Sequence, residues 1–334
     1  MTDKAVVWGV IGCGGIAESR FVPGITAARG NVLSAVASRS PGKAEDFARR
    51  NGIHGYYQSY EELLSRKEID AVYIATTHNF HYENVKLALE YGKHVLCEKS
   101  FTVNADEARK LIRMARERQL FLMEGMWTRF LPAIIQVREW IKTGRIGEVL
   151  QVRANFGFSI DVSPQHRLLN PDLAGGALLD AGIYPLSFAS MVMEDKPQFI
   201  HAVGEKGSTG VDIHSAYLLK YPKNKIALLS SAVGVDLNNR ADILGTKGHI
   251  TVPAPFHRAC RVELYAANED PLVQEFPPVA QDGFKYEIEA ASSAIRSGET
   301  ESAVMPLDET LLIMSTIDTI KKQLGLVYKN DHLT

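Results

Sequence analysis

The chain has 334 residues, 46% hydrophobic and 23% charged, which suggests about two domains with room for a sizeable core and excludes a disordered chain. Its 37 basic and 39 acidic residues give a net charge of −2, which leaves no strong field for nucleic acid or an anionic membrane surface. Uncharged stretches such as 181–193 fall short of the ~20 residues of a spanning helix, so neither a nucleic-acid nor a membrane partner is expected.

The N-terminal MTDK leads straight into AVVWGVIG without an apolar leader region, so no signal peptide is expected. Residues 5–11 form the near-continuous apolar run of a strand buried on both faces. A glycine cluster follows, then a helix reaching towards Ala28 and a second strand at 32–37. Ser40 and Pro41 predict a helix start, as N-cap and first helical residue, and Gly52 its stop. Ser59 and Glu62 have capping-box spacing. Residues 71–75 read as a strand, 81–91 as a helix closed by Gly92, and 94–97 as a strand. Asn104 and Glu107 make a second capping box ahead of Ala108, Leu111, Ile112 and Ala115, which share one helix face. A strand at 120–123 ends the series. Strands alternating with helices imply right-handed crossovers, so residues 1–125 are expected to form a doubly wound parallel Rossmann domain.

The pattern changes after residue 125. A helix at 132–142 ends before Gly144, and from Glu148 the apolar period becomes two. Strand-like runs follow near 199–204, 213–221, 225–235, 241–245, 249–252 and 260–266, with helices at 177–193, 283–297 and 308–324. Residues 126–334 are therefore expected to form an α+β domain with an open, mostly antiparallel sheet. The overall class is α/β.

Gly12-x-Gly14-x-x-Ala17 lies between the first strand and the first helix. Glycine at the first position permits the tight turn, the second lets backbone approach a pyrophosphate, and a small third residue lets helix and strand pack closely. A dinucleotide is the expected ligand; a purely structural turn is the other reading. At the end of the second strand, where an NAD site usually has Asp or Glu, this chain has Ser38-Arg39-Ser40. An arginine and two hydroxyls suit a 2′-phosphate, so NADP is favoured with NAD possible; otherwise Arg39 is a solvated residue and Ser40 a cap. Glu98-Lys99 stands at the carboxyl end of a strand, where doubly wound folds bind ligands. Asp180 and Tyr184 are four residues apart on the helix after Gly175-Gly176. Alone, Lys99 reads equally as a surface lysine and Tyr184 as a packing residue.

Together, GVIGCGGIA at 9–17, ATTHNFHYENVKLALEYGKHVLCEKS at 75–100 and GGALLDAGIYPL at 175–186 resemble the Gfo/Idh/MocA oxidoreductases, in family order and over nearly the whole chain. MEGMWTRFLP at 123–132 and the tyrosine at 184 are most similar to the dimeric dihydrodiol dehydrogenase / NADP-dependent D-xylose dehydrogenase branch. The resemblance implies hydride transfer between a nicotinamide and a secondary alcohol or carbonyl of a sugar or cyclic diol. It implies Lys99, Tyr184 and Asp180 as catalytic residues; Phe156, read from its place on the strand that opens the second domain's sheet, is a separate candidate for an apolar wall at the substrate. It implies a cofactor site drawn from Gly12, Gly14, Gly15, Ile16, Ser38, Arg39, Ser40, Thr76, Asn79, His81, Glu98, Lys99, Trp127 and Arg129. It also implies a homodimer or higher homo-oligomer formed through the second domain's sheet.

The chain departs from the family's Glu-Lys-Pro at Glu98-Lys99-Ser100, which removes a backbone restraint beside Lys99 but no chemical group. His166 and His257, with Phe158 and Phe256, are further candidates for the substrate side; Arg153, Arg167, Arg240 and Arg258 are candidate phosphate contacts. His78 and His81 lack a ligand set at metal spacing, so no metal is expected. Cys13, Cys97 and Cys260 make no paired framework, which points to a reducing, cytoplasmic location. Two other functions remain open: a dinucleotide- and sugar-binding regulator without turnover, and a sugar-modifying enzyme that uses NAD without net redox.

Overall fold

A computed structural model describes residues 4–278 and 281–332. The chain divides into two compact units: Met1–Thr102 with Asp106–Trp127 and Ala280–Thr310, and Val103–Ala105 with Thr128–Val279 and Leu311–Thr334.

In the first unit the described strands are β1 (Val6–Ile11), β2 (Asn31–Ala37), β3 (Gly55–Tyr57), β4 (Ala71–Ile74), β5 (His94–Glu98) and β6 (Leu122–Gly125). They form a six-stranded parallel sheet in the order β3-β2-β1-β4-β5-β6. The strand order reverses between β1 and β4, so the crevice outside their carboxyl ends is the natural ligand position. Trp8, Val10, Ile11, Val36, Ile74 and Leu96 are fully buried, as a sheet covered on both faces requires. The helices are α1 (Val22–Ala27), α2 (Lys43–Asn51), α3 (Tyr60–Leu64), α4 (His81–Glu90) and α5 (Ala105–Arg118).

Local chemistry explains most of these boundaries. The Ser59 hydroxyl accepts from the Glu62 N–H at 3.0 Å, making the expected cap of α3. Helix α2 begins two residues later than Ser40-Pro41 suggested. The Ser40 carbonyl accepts from the Lys43 N–H at 3.2 Å to close a turn through Pro41, and Gly42, at φ +70°, takes the cap position. The three-residue β3 is too short for its period to show in the sequence. Segment 280–310, read as part of the second domain, packs with the first unit. A Cβ added to Gly24 of α1 would stand 2.9 Å from the Cβ of Phe284, so only glycine permits this approach.

In the second unit the helices are α6 (Pro132–Lys142) and α7 (Ile183–Met193). Two more helices follow: α8 (Lys285–Arg296), which belongs to the first unit, and α9 (Leu307–Leu324). The second unit's strands are β7 (Val149–Phe158), β8 (Phe199–Lys206), β9 (Asp212–Lys220), β10 (Ile226–Val233), β11 (Ala241–Gly245), β12 (Gly248–Val252), β13 (Arg261–Ala266) and β14 (Leu272–Glu275). They form an eight-stranded sheet in the order β14-β13-β12-β11-β7-β10-β9-β8. Only the β7–β10 pair is parallel, so the sheet is mixed and mostly antiparallel.

Within the 23-residue stretch Pro171–Met193 an 18-residue window reaches mean hydropathy 1.3, long and apolar enough by composition to cross a membrane. The uncharged run 181–193 is the later part of this stretch, which extends back across Asp180. Its apolar window is wholly buried inside the protein, and α7 is buried on every side. It is a core helix, hydrophobic all round because it is covered all round.

Asp212 anchors the entry to this helix. Its Oδ2 accepts from the Leu178 N–H at 2.7 Å and from the Ser215 hydroxyl at 3.2 Å. Burial pushes the carboxyl up to about 6. Between pH ~4 and ~6 the folded chain therefore keeps a proton that the unfolded chain has lost, and stability from this group falls as pH rises through that window, by about 3 kcal/mol. Asp212→Asn is expected to flatten that slope in denaturant unfolding followed from pH 4 to 7. An unchanged slope would assign the dependence to other groups.

Candidate active site

The glycine turn has the shape a diphosphate needs. Gly12 sits at φ +101°, and a Cβ there would stand 2.9 Å from the Ala75 carbonyl, so the turn closes tightly over the end of β4. A Cβ on Gly15 would meet nothing within 4 Å, and one on Gly14 only the Ala75 oxygen at 3.6 Å, which leaves the outer face of the turn open. Ile16 is part-exposed and Ala17 fully buried, as close packing of strand and helix demands. The helix after the turn starts as a π-helical segment at Ala17–Phe21 and becomes α1.

Beyond β2, Ser38 is buried, and its hydroxyl accepts from the Ser40 N–H at 3.3 Å. Arg39 is exposed, its guanidinium carbon 4.9 Å from the ring centre of Tyr60 and 5.2 Å from that of Phe80. At the end of β4, the Thr76 hydroxyl accepts from the Asn84 amide at 3.0 Å. The Thr77 hydroxyl donates to Asn79 Oδ1 at 2.7 Å.

His81 is fully buried, its Nδ1 2.8 Å from the Ser100 carbonyl oxygen and its Nε2 3.0 Å from that of Thr76. Burial lowers its pKa and favours the neutral ring, which has one N–H to donate. The ring stands between the loops that follow β4 and β5 and donates to one of the two carbonyls, so His81 ties one ligand-side loop and packs against the other.

At the end of β5, Glu98 is buried and accepts from the Tyr73 hydroxyl through Oε1, and from the Lys99 N–H at 3.2 Å through Oε2. Burial and the Glu98 charge push the Tyr73 phenol far up, so it stays a donor. The Lys99–Ser100 peptide bond is cis. Ser100 is fully buried, and the next N–H, of Phe101, donates to Glu124 Oε1 at 3.0 Å. Glu124 in turn accepts from the Thr310 hydroxyl at 3.1 Å. Hydrogen bonds on both sides of Lys99 thus supply the restraint that the missing proline would have given, while the lysine itself stays half-buried. Glu287 of α8 lies buried near Glu98 without a hydrogen-bond partner among the described residues, and burial pushes its carboxyl far up.

In the second unit, Asp180 belongs to a π-helical segment, Leu178–Gly182, that runs into α7. Its Oδ1 accepts from Arg167 at 2.8 Å; the carboxylate is nearly buried and the arginine half-exposed. The buried Tyr184 ring meets Phe156 edge-on at 5.1 Å and lies 5.5 Å from His257, which is 4.1 Å from Phe156. Phe158 adjoins Phe156 at 5.8 Å. Phe256 instead packs on Phe188 as a fully buried core ring.

Other candidates have protein partners of their own. The His166 Nδ1 accepts from the Leu168 N–H at 3.3 Å. Arg240 pairs with Asp242 at 2.7 Å, and Arg153 donates to Gln151 at 3.1 Å. Arg129 is buried and donates to the Ser187 hydroxyl at 2.8 Å and carbonyl at 2.7 Å, which ties it to α7. The nearly buried Trp127 ring packs 5.2 Å from Phe284. Among the described residues no group of three or more His, Cys, Asp or Glu is placed to hold a metal ion.

Two family models match this chain. An oxidoreductase family with an NAD-binding Rossmann fold covers residues 6–126, and the GFO/IDH/MocA C-terminal domain covers 134–251. The chain belongs to the GFO/IDH/MocA family of oxidoreductases. Among its relatives, the D-xylose 1-dehydrogenase (NADP(+)) of Hypocrea jecorina is 35% identical, over 96% of this chain and 92% of that protein. The trans-1,2-dihydrobenzene-1,2-diol dehydrogenase of Homo sapiens is 37% identical, over 98% and 99%. A 3-ketoreductase from Actinomadura kijaniata, solved with NADP and TDP-benzene, superposes at TM-score 0.84 with 29% identity, over 96% of this chain and 98% of its own. This GFO/IDH/MocA member has an open glycine turn and a lysine just beyond β5 in its first unit, and Asp180 and Tyr184 at the start of one helix in its second.

The sequence did not reveal Tyr60, Phe80 or Glu124, whose contacts with Arg39 and the Lys99 loop arise between elements far apart in the chain. Arg167 stood out only as one of several arginines, because nothing local linked it to Asp180.

Proposed function

We propose that this protein is an NADP-dependent dehydrogenase or reductase acting on a secondary alcohol or carbonyl of a sugar or cyclic diol. The observation that carries this reading is Lys99: a half-buried amine on a loop fixed by Glu98, His81 and Glu124, at the carboxyl end of β5 in the same sheet as the open glycine turn. The full-length relatives named above support the substrate class and the choice of NADP.

In this proposal the first unit holds the dinucleotide and the second the substrate. Gly12, Gly14, Gly15 and Ile16 flank the diphosphate, Thr76, Asn79 and Trp127 lie alongside the dinucleotide, and Glu98 accepts from the nicotinamide ribose. Ser38, Arg39 and Ser40 receive the 2′-phosphate. When bound, the nicotinamide supplies the site that accepts or donates the hydride. The Tyr184 side chain takes the proton of the reacting hydroxyl as phenolate, or as phenol gives a proton to the carbonyl oxygen, and the Lys99 ammonium stabilises negative charge on that oxygen. Asp180, paired with Arg167, accepts from a neighbouring hydroxyl, and Phe156 covers the apolar face of the ring. Arg129 serves as a positioning residue for α7, which carries Tyr184.

The outer face of the second sheet exposes Phe199, Val203, Leu218 and Leu228, and in this proposal a second copy covers them. The free thiols Cys13, Cys97 and Cys260 are consistent with a cytoplasmic location.

A panel of aldoses, inositols and cyclic diols, read at 340 nm with NADP+ and NAD+ in parallel, tests the activity. Turnover with NADP+ preferred is expected. A panel that yields no reduced coenzyme with either would contradict the proposal. Arg39→Ala is expected to weaken NADPH binding by about 10- to 100-fold, the worth of a charge-assisted contact, with little change for NADH. Equal losses would show that Arg39 does not meet a phosphate.

A further inference from the structure

Arg39 is exposed and has no carboxylate partner among the described residues. Its guanidinium instead lies within reach of two aromatic faces from different elements. Tyr60 opens α3 and is nearly buried; Phe80 closes the short turn before α4 and is 40% exposed. The turn beneath the arginine is fixed through the buried Ser38 hydroxyl.

We propose that Tyr60 and Phe80 form an aromatic clamp that sets coenzyme preference by holding Arg39 ready for a 2′-phosphate. This rests on the reading of Arg39 as the phosphate contact. The chemistry favours rings over a carboxylate for this task. An ion pair would occupy the guanidinium's N–H groups and place a negative charge where a phosphate must come. Aromatic faces attract the cation through their quadrupoles and leave the N–H edge in its plane open to oxygen acceptors. The clamp also settles a side chain with many rotamers before the coenzyme arrives, so less freedom is lost on binding. A coenzyme with a 2′-hydroxyl gains nothing from that preparation. Phe80 is thus a specificity-determining positioning residue.

The test is titration of NADPH and NADH by fluorescence against the full chain, which needs no substrate. Phe80→Leu keeps an apolar side chain of similar bulk and removes the ring. It is expected to raise the Kd for NADPH about two- to fivefold, the worth of one exposed cation–π contact, with the Kd for NADH unchanged. Phe80→Trp should restore tight NADPH binding. In an Arg39→Ala background, Phe80→Leu should change neither value. Equal shifts for both coenzymes would overturn the clamp and give the ring to the adenine or to the fold; so would no shift, or a shift that survives without Arg39. If Arg39→Ala is selective and Phe80→Leu is silent, the clamp alone fails. If Arg39→Ala affects both coenzymes equally, the phosphate reading fails and the clamp falls with it.

Discussion

Lys99→Met is expected to lose about 100- to 10,000-fold in kcat while NADPH still binds. Three contacts hold the loop through its backbone. The Lys99 N–H donates to Glu98, the Ser100 carbonyl lies against His81, and the Phe101 N–H donates to Glu124. Methionine keeps the length and the apolar stem and leaves these three backbone contacts in place. The variant removes the charge proposed to face the reacting oxygen, and the loss should fall on kcat and kcat/KM together. Parallel fluorescence titration of NADPH separates this outcome from a collapsed site. Turnover within a few-fold of the parent would show that the amine takes no part in the chemistry.

A second large effect is structural. Lys321 of α9 is nearly buried, and its ammonium donates to the Val103 carbonyl at 2.9 Å, to Asp331 at 2.7 Å and to Asp318 at 3.4 Å. Both carboxylates also hold backbone. Asp318 accepts from the Ala105 N–H at 2.9 Å, and Asp331 from the Tyr328 N–H at 2.9 Å. Lys321→Met would leave two part-exposed carboxylates without their shared cation; removing one partner of a fully buried pair costs about 3–5 kcal/mol, and the carboxylates' access to water lowers this to about 2–3 kcal/mol. Denaturant unfolding of the second unit should shift by that amount. Adding Asp318→Asn and Asp331→Asn to the same variant should recover part of it, because the stranded charges are gone. A loss below about 1 kcal/mol would mean that water solvates this cluster freely, as at a surface ion pair.

Much of the fold is legible in the sequence because it depends on near neighbours. Gly12, Gly14 and Ala17 announce their turn, since backbone freedom and small size are needed at those spacings, and the Ser59–Glu62 cap is a contact three residues long. The period-two alternation at β7 shows its wet face. Where two local signals compete, the reading slips: Pro41 and Gly42 both suit a helix start, and the glycine takes the cap. The short strands β3 and β14 give no period to detect. The π-helical turns at Ala17–Phe21 and Leu178–Gly182 follow from packing and leave no mark in a 3.6-residue pattern. The candidate site follows the same rule. Its chemistry-bearing residues stand in short motifs, whereas their supports (Tyr60 and Phe80 for Arg39, Glu124 for the Lys99 loop, Arg167 for Asp180) come from distant segments that only the fold brings near.

The most direct measurement is a double-mutant cycle on kcat/KM with NADP+ and the fastest substrate of the panel, using Lys99→Met, Tyr184→Phe and the pair. If amine and phenol act on one oxygen in one proton transfer, the double variant should be no more than a few-fold slower than the slower single variant. Losses that multiply, or a Tyr184→Phe enzyme as fast as the parent, would contradict that account.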